Sequence, residues 1–212
     1  MEYAQFRNQV EIYNVLEEGL EKQRRYAHEF KNHILCIDTM IKDHNYDTLE
    51  KYVSGISGSE YVERKIIDTN NVVVNTILNE KYYEMDKKGI AFVFRVNDLS
   101  KLNIRDEDIV VILSNLLNNA IEACDRISDG ERVIRLKFMI EEDTVVVSVR
   151  NSCEIKPIVK HGSFMTTKHT SQEEHGIGIK NIEHTVQKYD GTCSVRYSEK
   201  EFYTALMFPL NS

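Results

Sequence analysis

From Tyr3 to about Asp43 the chain has no proline and a single glycine, Gly19, while apolar residues return every three or four positions: Tyr3, Phe6, Val10 and Tyr13, then Leu20, Ala27, Phe30, Ile34, Ile37 and Ile41. A stripe of that period is one face of an α-helix. A helix this long with one apolar stripe has no interior of its own, so it requires a partner. The period slips near Leu16 and Glu17, which predicts that the upper and lower parts of the helix pack differently. His44-Asn45-Tyr46 reads as a turn, and Asp47 with Glu50 has capping-box-like spacing for a second helix through Leu49, Tyr52, Val53 and Ile56. Two helices joined so tightly make an antiparallel hairpin. A lone hairpin leaves apolar surface uncovered, and the pattern therefore predicts that two chains pair into a four-helix bundle.

The run Ser54-Gly55-Ile56-Ser57-Gly58-Ser59 turns to small residues and marks a boundary, which sets a helical domain over 1–58 apart from a second domain over 59–212. Beyond it helices and strands alternate. Helices are expected near Asn71 to Lys87, Asp106 to Ile127 and Ile177 to Tyr189, the last stopped by Gly191. A strand is expected near Ile90 to Val96. Ile134, Leu136, Phe138 and Ile140 alternate with other residues, and after Glu141-Glu142-Asp143 the series Val145, Val147, Val149 keeps the period of two, which is a hairpin. Two more strands, Thr192 to Tyr197 and Phe202 to Phe208, close the chain, and Glu154 to His175 is expected to be a loop. The fold class is α+β, one sheet with helices on one face.

Composition removes several functions. With 27 basic and 34 acidic residues, a net charge of −7 and no block of like charge, the chain offers no surface for nucleic acid or anionic lipid. Cys36, Cys124, Cys153 and Cys193 stand singly, without a C-x-x-C pair, which suits reduced thiols filling a core in a cytoplasmic protein. No stretch approaches the ~20 apolar residues of a membrane helix.

Three constellations can carry chemistry. On the helix at Asp106, the residues Ile109, Ile112, Leu113, Leu116, Leu117, Ala120 and Cys124 share one face, while Asn115, Asn118, Asn119 and Glu122 gather within roughly 100° on the other. Asparagine is a poor helix former, so three of them on a solvated face want a reason. Carboxamide oxygens ligate Mg²⁺ without adding charge beside a polyphosphate. Spacing alone leaves a metal-nucleotide site and an ordinary solvated face evenly matched. Next, Glu174-His175-Gly176-Ile177-Gly178 opens a helix, where bare amides can cradle phosphate; an ordinary loop-to-helix turn is the plainer reading. Lys168, after Thr166 and Thr167, stands in the preceding loop and can fold over a phosphate, or simply be solvated.

The third is His28-Glu29-Phe30-Lys31-Asn32-His33. Zinc needs histidines at i and i+4, and His33 lies at i+5, roughly 140° around the helix, so the metalloprotease reading fails. His28 follows Ala27 of the seam and flanks the bundle, where Glu29 can accept one ring N–H and leave the other nitrogen as nucleophile. A plain surface histidine is the alternative. Asn32, one turn on, can position a water or a phosphoryl oxygen.

Taken in order, these segments resemble the sensor histidine kinases of the GHKL ATPase superfamily, and within them the peptide quorum-sensing, Agr-sensor-like branch. Arg24-Arg25-Tyr26-Ala27-His28-Glu29-Phe30-Lys31-Asn32-His33 resembles that branch's phosphoacceptor box, which implies that His28 is phosphorylated with Glu29 as acid-base partner. Asn115 to Ala123, N-L-L-N-N-A-I-E-A, resembles the N box, which implies Mg²⁺ ligation by Asn119 with Asn115 near the phosphates. His175 to Ile182, H-G-I-G-I-K-N-I, is similar to the glycine box closing an ATP lid; with Thr167 and Lys168 it implies phosphate contacts at His175, Gly176 and Gly178.

The resemblance implies a Bergerat-type α/β sandwich behind the hairpin, with ATP and Mg²⁺ bound, a homodimer, and transfer from His28 to an aspartate of a response regulator. It also implies an upstream membrane sensor, with this region in the cytoplasm. Two positions depart from the wider superfamily. Asn151-Ser152-Cys153 stands where Asp-x-Gly-x-Gly is usual, although an Asn oxygen still accepts from the adenine amino group, and Asn118 replaces a common Asp. Two rival functions share the same parts: a phosphorelay or scaffold dimer that binds ATP without kinase activity, and a GHKL-type ATPase or serine kinase. Asn115 cannot act as a general base toward water, which favours transfer over hydrolysis.

Overall fold

The computed structural model describes residues 2–57, 66–154, 158–160, 163–165 and 177–210. The chain divides into two compact units, Met1–Glu63 and Arg64–Ser212. The first is a hairpin of α1, Glu2–Lys42, and α2, Tyr46–Ser57. Its turn closes through Asn45 N–H donating to the Met40 carbonyl (2.9 Å), a six-to-one helix stop that puts His44 in the left-handed region at φ 53°. Asn45, not Asp47, caps α2: its Oδ1 accepts from the Thr48 N–H at 3.3 Å. The helix starts one residue before Asp47, which places that acid inside the first turn, where it still complements the helix dipole.

His33 and Tyr52 join the two helices through a 2.9 Å contact between Nδ1 and the hydroxyl. None of the side chains described over 17–57 is buried, and Phe30 (67% exposed), Leu35 (62%) and Ile34 (48%) face outward. Among the described side chains the hairpin therefore has no dry interior within a single chain. Cys36 is exposed here, against the expectation of core filler.

The second unit contains α3 (Val72–Lys87), β1 (Ala91–Val96), α4 (Asp106–Asp125), β2 (Val133–Glu141), β3 (Thr144–Ser152), β4 (Ile158–Lys160), β5 (Ser163–Met165), α5 (Ile177–Gln187), β6 (Thr192–Tyr197) and β7 (Glu201–Pro209). The main sheet runs β1-β2-β3-β7-β6. β1 lies parallel to β2, with α4 as the crossover such a pair needs, and the other neighbours are antiparallel. Register places Phe94, Leu136, Val149, Thr204 and Val195 in one transverse row, with Val96, Phe138, Val147, Leu206 and Cys193 in the next. That face packs with Leu78, Leu113, Leu117 and Ile182 of the helices into one buried core. Cys124 and Cys153 are buried within this unit, and burial pushes the Cys124 thiol up to about 11. The short hairpin β4–β5 falls inside the stretch expected to be a loop.

Two local devices fix the C-terminal end of α5. Gly191 follows it so closely on β7 that a Cβ there would stand 2.7 Å from the Met207 carbonyl oxygen and 2.8 Å from Phe208. At the same end, Asp108 of α4 is buried and takes hydrogen bonds from Tyr189 Oη (2.7 Å), Lys188 Nζ (2.9 Å) and Arg105 Nη2 (2.9 Å). Burial alone would raise the Asp108 carboxyl, but these three donors outweigh it and hold the group down at about 2. Helices α4 and α5 are thereby pinned together where α4 begins and α5 ends.

Gly191→Ala should cost about 1–3 kcal/mol through overpacking, read as a lowered urea midpoint; an unchanged midpoint would show that β7 can yield. Asp108→Asn should cost about 1.5–3 kcal/mol at neutral pH, the range for hydrogen bonds to a charged group. Since the folded carboxyl titrates near 2 and the ordinary value is 3.8, its stabilisation is complete above about pH 4 and fades as pH falls towards 2. The variant should lose that part of the acid dependence, and an identical stability-pH curve would refute the clamp.

Candidate functional site

The apolar stripe of α4 is buried as its periodicity requires: Ile109, Ile112, Leu113, Leu116, Leu117, Ala120 and Cys124 all face the core. That burial turns the opposite face outward, with Asn118 and Asn119 exposed and Asn115 and Glu122 half-buried. Asn115 Nδ2 donates to the Val111 carbonyl at 2.7 Å, one turn back. That bond engages one N–H and turns Oδ1 towards α5.

What it presents that oxygen to is Gly178, in the first turn of α5. A Cβ on Gly178 would lie 3.1 Å from Asn115 Oδ1 and 3.5 Å from Asn119 Nδ2. The glycine of one motif is therefore seated on the asparagines of the other, more than fifty positions away in sequence. The absence of a side chain at 178 lets the first turn of α5 approach these carboxamides closely, and N–H groups in the first turn of a helix attract anions. Carboxamide oxygens at this point suit a hard cation such as Mg²⁺. Among the described residues no cluster of three His, Cys, Asp or Glu forms a metal site, so acidic ligands are not gathered elsewhere in the described structure.

Asn151 lies at the end of β3, on the helix-covered face of the sheet, opposite Ile134 and Phe202. It is 4% exposed, and its Nδ2 donates to the Ser152 carbonyl at 2.9 Å. With one N–H so engaged, the side chain still has its oxygen to offer, which is the polarity a purine amino group needs. Thr167, Lys168, His175 and Gly176, the remaining residues assigned to this site from the sequence, lie outside the described residues.

In the first unit, His28, Glu29 and Asn32 all sit exposed on α1. Asn32 contacts the ring, with Nδ2 3.3 Å from His28 Nδ1. Among the described residues no hydrogen bond joins Glu29 to that ring. The helix explains this: neighbours at i and i+1 diverge by about 100°, whereas i and i+4 stack on one face.

Sequence reasoning missed the Asp108 clamp, since its partners Lys188 and Tyr189 lie eighty positions downstream. One signal was available. Asp108 stands four residues before Ile112 and eight before Leu116, an acid on the buried stripe, and such a group demands partners.

Comparison with known proteins bears on this geometry. A family profile described as "GHKL domain" matches residues 104–209, which span α4 to β7 and contain the Asn115, Asn119, Asn151 and Gly178 positions. Sensor histidine kinase DpiB of Escherichia coli (strain K12) is 23% identical over 200 residues, covering 85% of this chain. The chain spans 34% of DpiB's length. Two crystal forms of the catalytic domain of histidine kinase ThkA share the fold, with TM-scores of 0.51 and 0.50 at 20% and 21% identity. Each covers 67% of this chain, and 93% and 92% of the ThkA domain respectively. With half of its residues matched by that profile, the chain belongs to the GHKL family, and its likeness within the family is to sensor histidine kinases.

Proposed function

We propose that this chain is the kinase region of a sensor histidine kinase, transferring the γ-phosphoryl group of ATP to His28 and from there to an aspartate of a response regulator. The observation that carries the reading is the seating of Gly178 against Asn115 and Asn119, which supports joining in one site two motifs that sequence could only set in order. Asn115 and Asn119 would hold Mg²⁺, which supplies neutralisation of the triphosphate charge. The remaining work falls to the chain's own groups. Asn151 Oδ1 accepts from the adenine amino group and orients the base. Gly178 leaves room for phosphate at the start of α5, where backbone N–H groups favour negative charge. Asn115 offers a carboxamide, not a base, so water in the site is not activated and the phosphoryl group is reserved for an incoming nucleophile. Phosphoryl transfer asks mainly for such positioning and charge neutralisation.

Thr167, Lys168, His175 and Gly176 complete the phosphate contacts in this reading. The exposed Phe30, Ile34 and Leu35 support pairing of two hairpins into a four-helix bundle, which would bury them at about 25 cal/mol per Å². No helix among the described residues is long and apolar enough to cross a membrane, and in this reading the region works in the cytoplasm behind a membrane sensor.

Incubation with γ-labelled ATP and Mg²⁺ should leave acid-labile, alkali-stable label on the chain, lost in His28→Gln. Acid-stable label, label retained in His28→Gln, or release of phosphate alone would refute the kinase reading. Gly178→Ala should weaken ATP binding about tenfold, since a methyl group 3.1 Å from Asn115 Oδ1 would crowd the phosphate contact, while stability by urea unfolding stays within about 1 kcal/mol of the parent. Unchanged affinity would place the nucleotide elsewhere.

A further inference from the structure

We propose that the face of the sheet turned away from α3, α4 and α5 is a docking surface for an acidic amphipathic helix of a partner protein. The proposal is independent of the nucleotide reading, whose residues lie among the helices on the other side.

Helices α3, α4 and α5 all pack on one face of the five-stranded sheet, so every second residue of its strands points the other way. An outer face of that kind ordinarily carries charges of both signs, paired or dissolved in water. This one is dominated by a single sign. Register sets Val93, Arg135, Arg150, Tyr203 and Arg196 side by side in one row across the strands. Arg135 and Arg150 are direct cross-strand partners, an arrangement of like charges that costs stability. Arg150 lies over the Tyr203 ring, its Cζ 5.4 Å from the centroid. Arg95 and Lys137 are paired in the next row. Within the strands, two carboxylates share the face: Glu141, bound to Lys137 at 2.6 Å, and Glu201 at the start of β7. Among the described residues no ion pair joins Arg95, Arg135, Arg150 or Arg196 to an acid. The cations outnumber the acids here on a chain whose net charge is −7.

Shape selects the partner. Past the arginine row come Ser148, Ala205 and Ser194, and beyond them Val146, Met207 and Thr192. Ser148 is 7% exposed with none of α3, α4 and α5 above it, because longer side chains overshadow it, whereas Met207 is 50% exposed. The small residues are therefore the floor of a shallow trough between a basic wall and an apolar one. The walls lie four residues apart along the strands, about 13 Å, which admits one α-helix with its side chains, about 10–12 Å across. The trough runs over β3, β7 and β6, and Lys137 with Arg95 closes it at β2 and β1. A helix lying there puts acids against Arg150 and Arg196 and apolar side chains against Met207 and Val146. Its carbonyl end, where the helix dipole is negative, meets Lys137 and Arg95. A nucleic-acid duplex or a bilayer spreads its phosphates evenly and gains nothing from the apolar wall, and the negative charge of the whole chain repels it.

The test is fluorescence anisotropy of a labelled synthetic helical peptide, with stripes of Glu and Leu on either side of an Ala stripe, titrated with the whole chain at low salt. Saturable binding is expected. It should weaken about tenfold in Arg150→Gln/Arg196→Gln, the loss of two exposed charge pairs, and by a similar factor when NaCl rises from about 50 to about 300 mM. Met207→Ser should weaken it as well, and replacing the peptide's Glu by Gln should abolish it. ATP affinity should be the same in all these variants. In NMR spectra of the chain the backbone amides of Ser194, Arg196 and Met207 should shift with peptide, and that of Gly178 should stay in place. No saturable binding, binding indifferent to the arginine substitutions, or shifts confined to Gly178 and its neighbours would overturn the proposal. So would binding of phosphatidylglycerol vesicles or duplex DNA through these arginines in place of the peptide. Arg135→Gln, which removes a repulsion, should leave the urea midpoint unchanged or higher; a lowered midpoint would show that the row serves the fold and would overturn its reading as a partner surface.

Discussion

The antiparallel contact between α4 and α5 is the constraint on which the candidate site depends. It is gripped at one end by Asp108 with Arg105, Lys188 and Tyr189, and meets at the other where Gly178 rests on Asn115 and Asn119. A helix advances about 1.5 Å per residue, so a one-residue slip at the clamp would carry Gly178 about 1.5 Å along α4. The contact at Asn115 has no such slack. The buried carboxylate is therefore a register pin: Lys188 and Tyr189 reach it from the end of α5, and any other alignment would leave it with Arg105 alone. Gly191 does comparable work by steric means, pressing the exit of α5 onto β7.

The two units are held together by different physics. The second unit closes around a dry core, in which the alternating residues of β2, β3 and β7 meet the stripes of α3, α4 and α5. The hairpin of α1 and α2 has no such core among its described side chains, and its apolar residues look outward. Burial stabilises in proportion to the area removed from water, and the single hairpin removes little. In the kinase reading, a second copy would supply a matching stripe to cover that surface. His28 would then sit on the flank of a bundle, fixed by pairing and accessible by position.

Elements with a strong period were legible from sequence, because repetition averages over local accidents. The stripe of α4, the β2–β3 alternation and the long α1 all fall within a few residues of where the pattern puts them. What was not legible depended on a single pairing at a distance. The Asn115 amide is oriented by the Val111 carbonyl, and its oxygen meets Gly178 only once α5 has packed. Asp108 looked like one more acid in a first turn until Lys188 and Tyr189 arrived from the far end of the chain. Glu29 was the natural partner for His28 by adjacency, yet helix geometry gives the ring to Asn32. The cap of α2 moved from Asp47 to Asn45 because Asn45 sits just before the first helical residue and its oxygen reaches Thr48. The β4–β5 hairpin is too short, at three residues a strand, for a period of two to declare itself.

The central claim is that Asn115, Asn119 and Gly178 form one nucleotide site, and the most direct measurement of it is an NMR titration of the intact chain with ATP and Mg²⁺. The Asn115 and Asn119 side-chain amides and the Gly178 backbone amide should shift together, along one saturable curve. Saturable binding that leaves these three resonances in place would contradict the account.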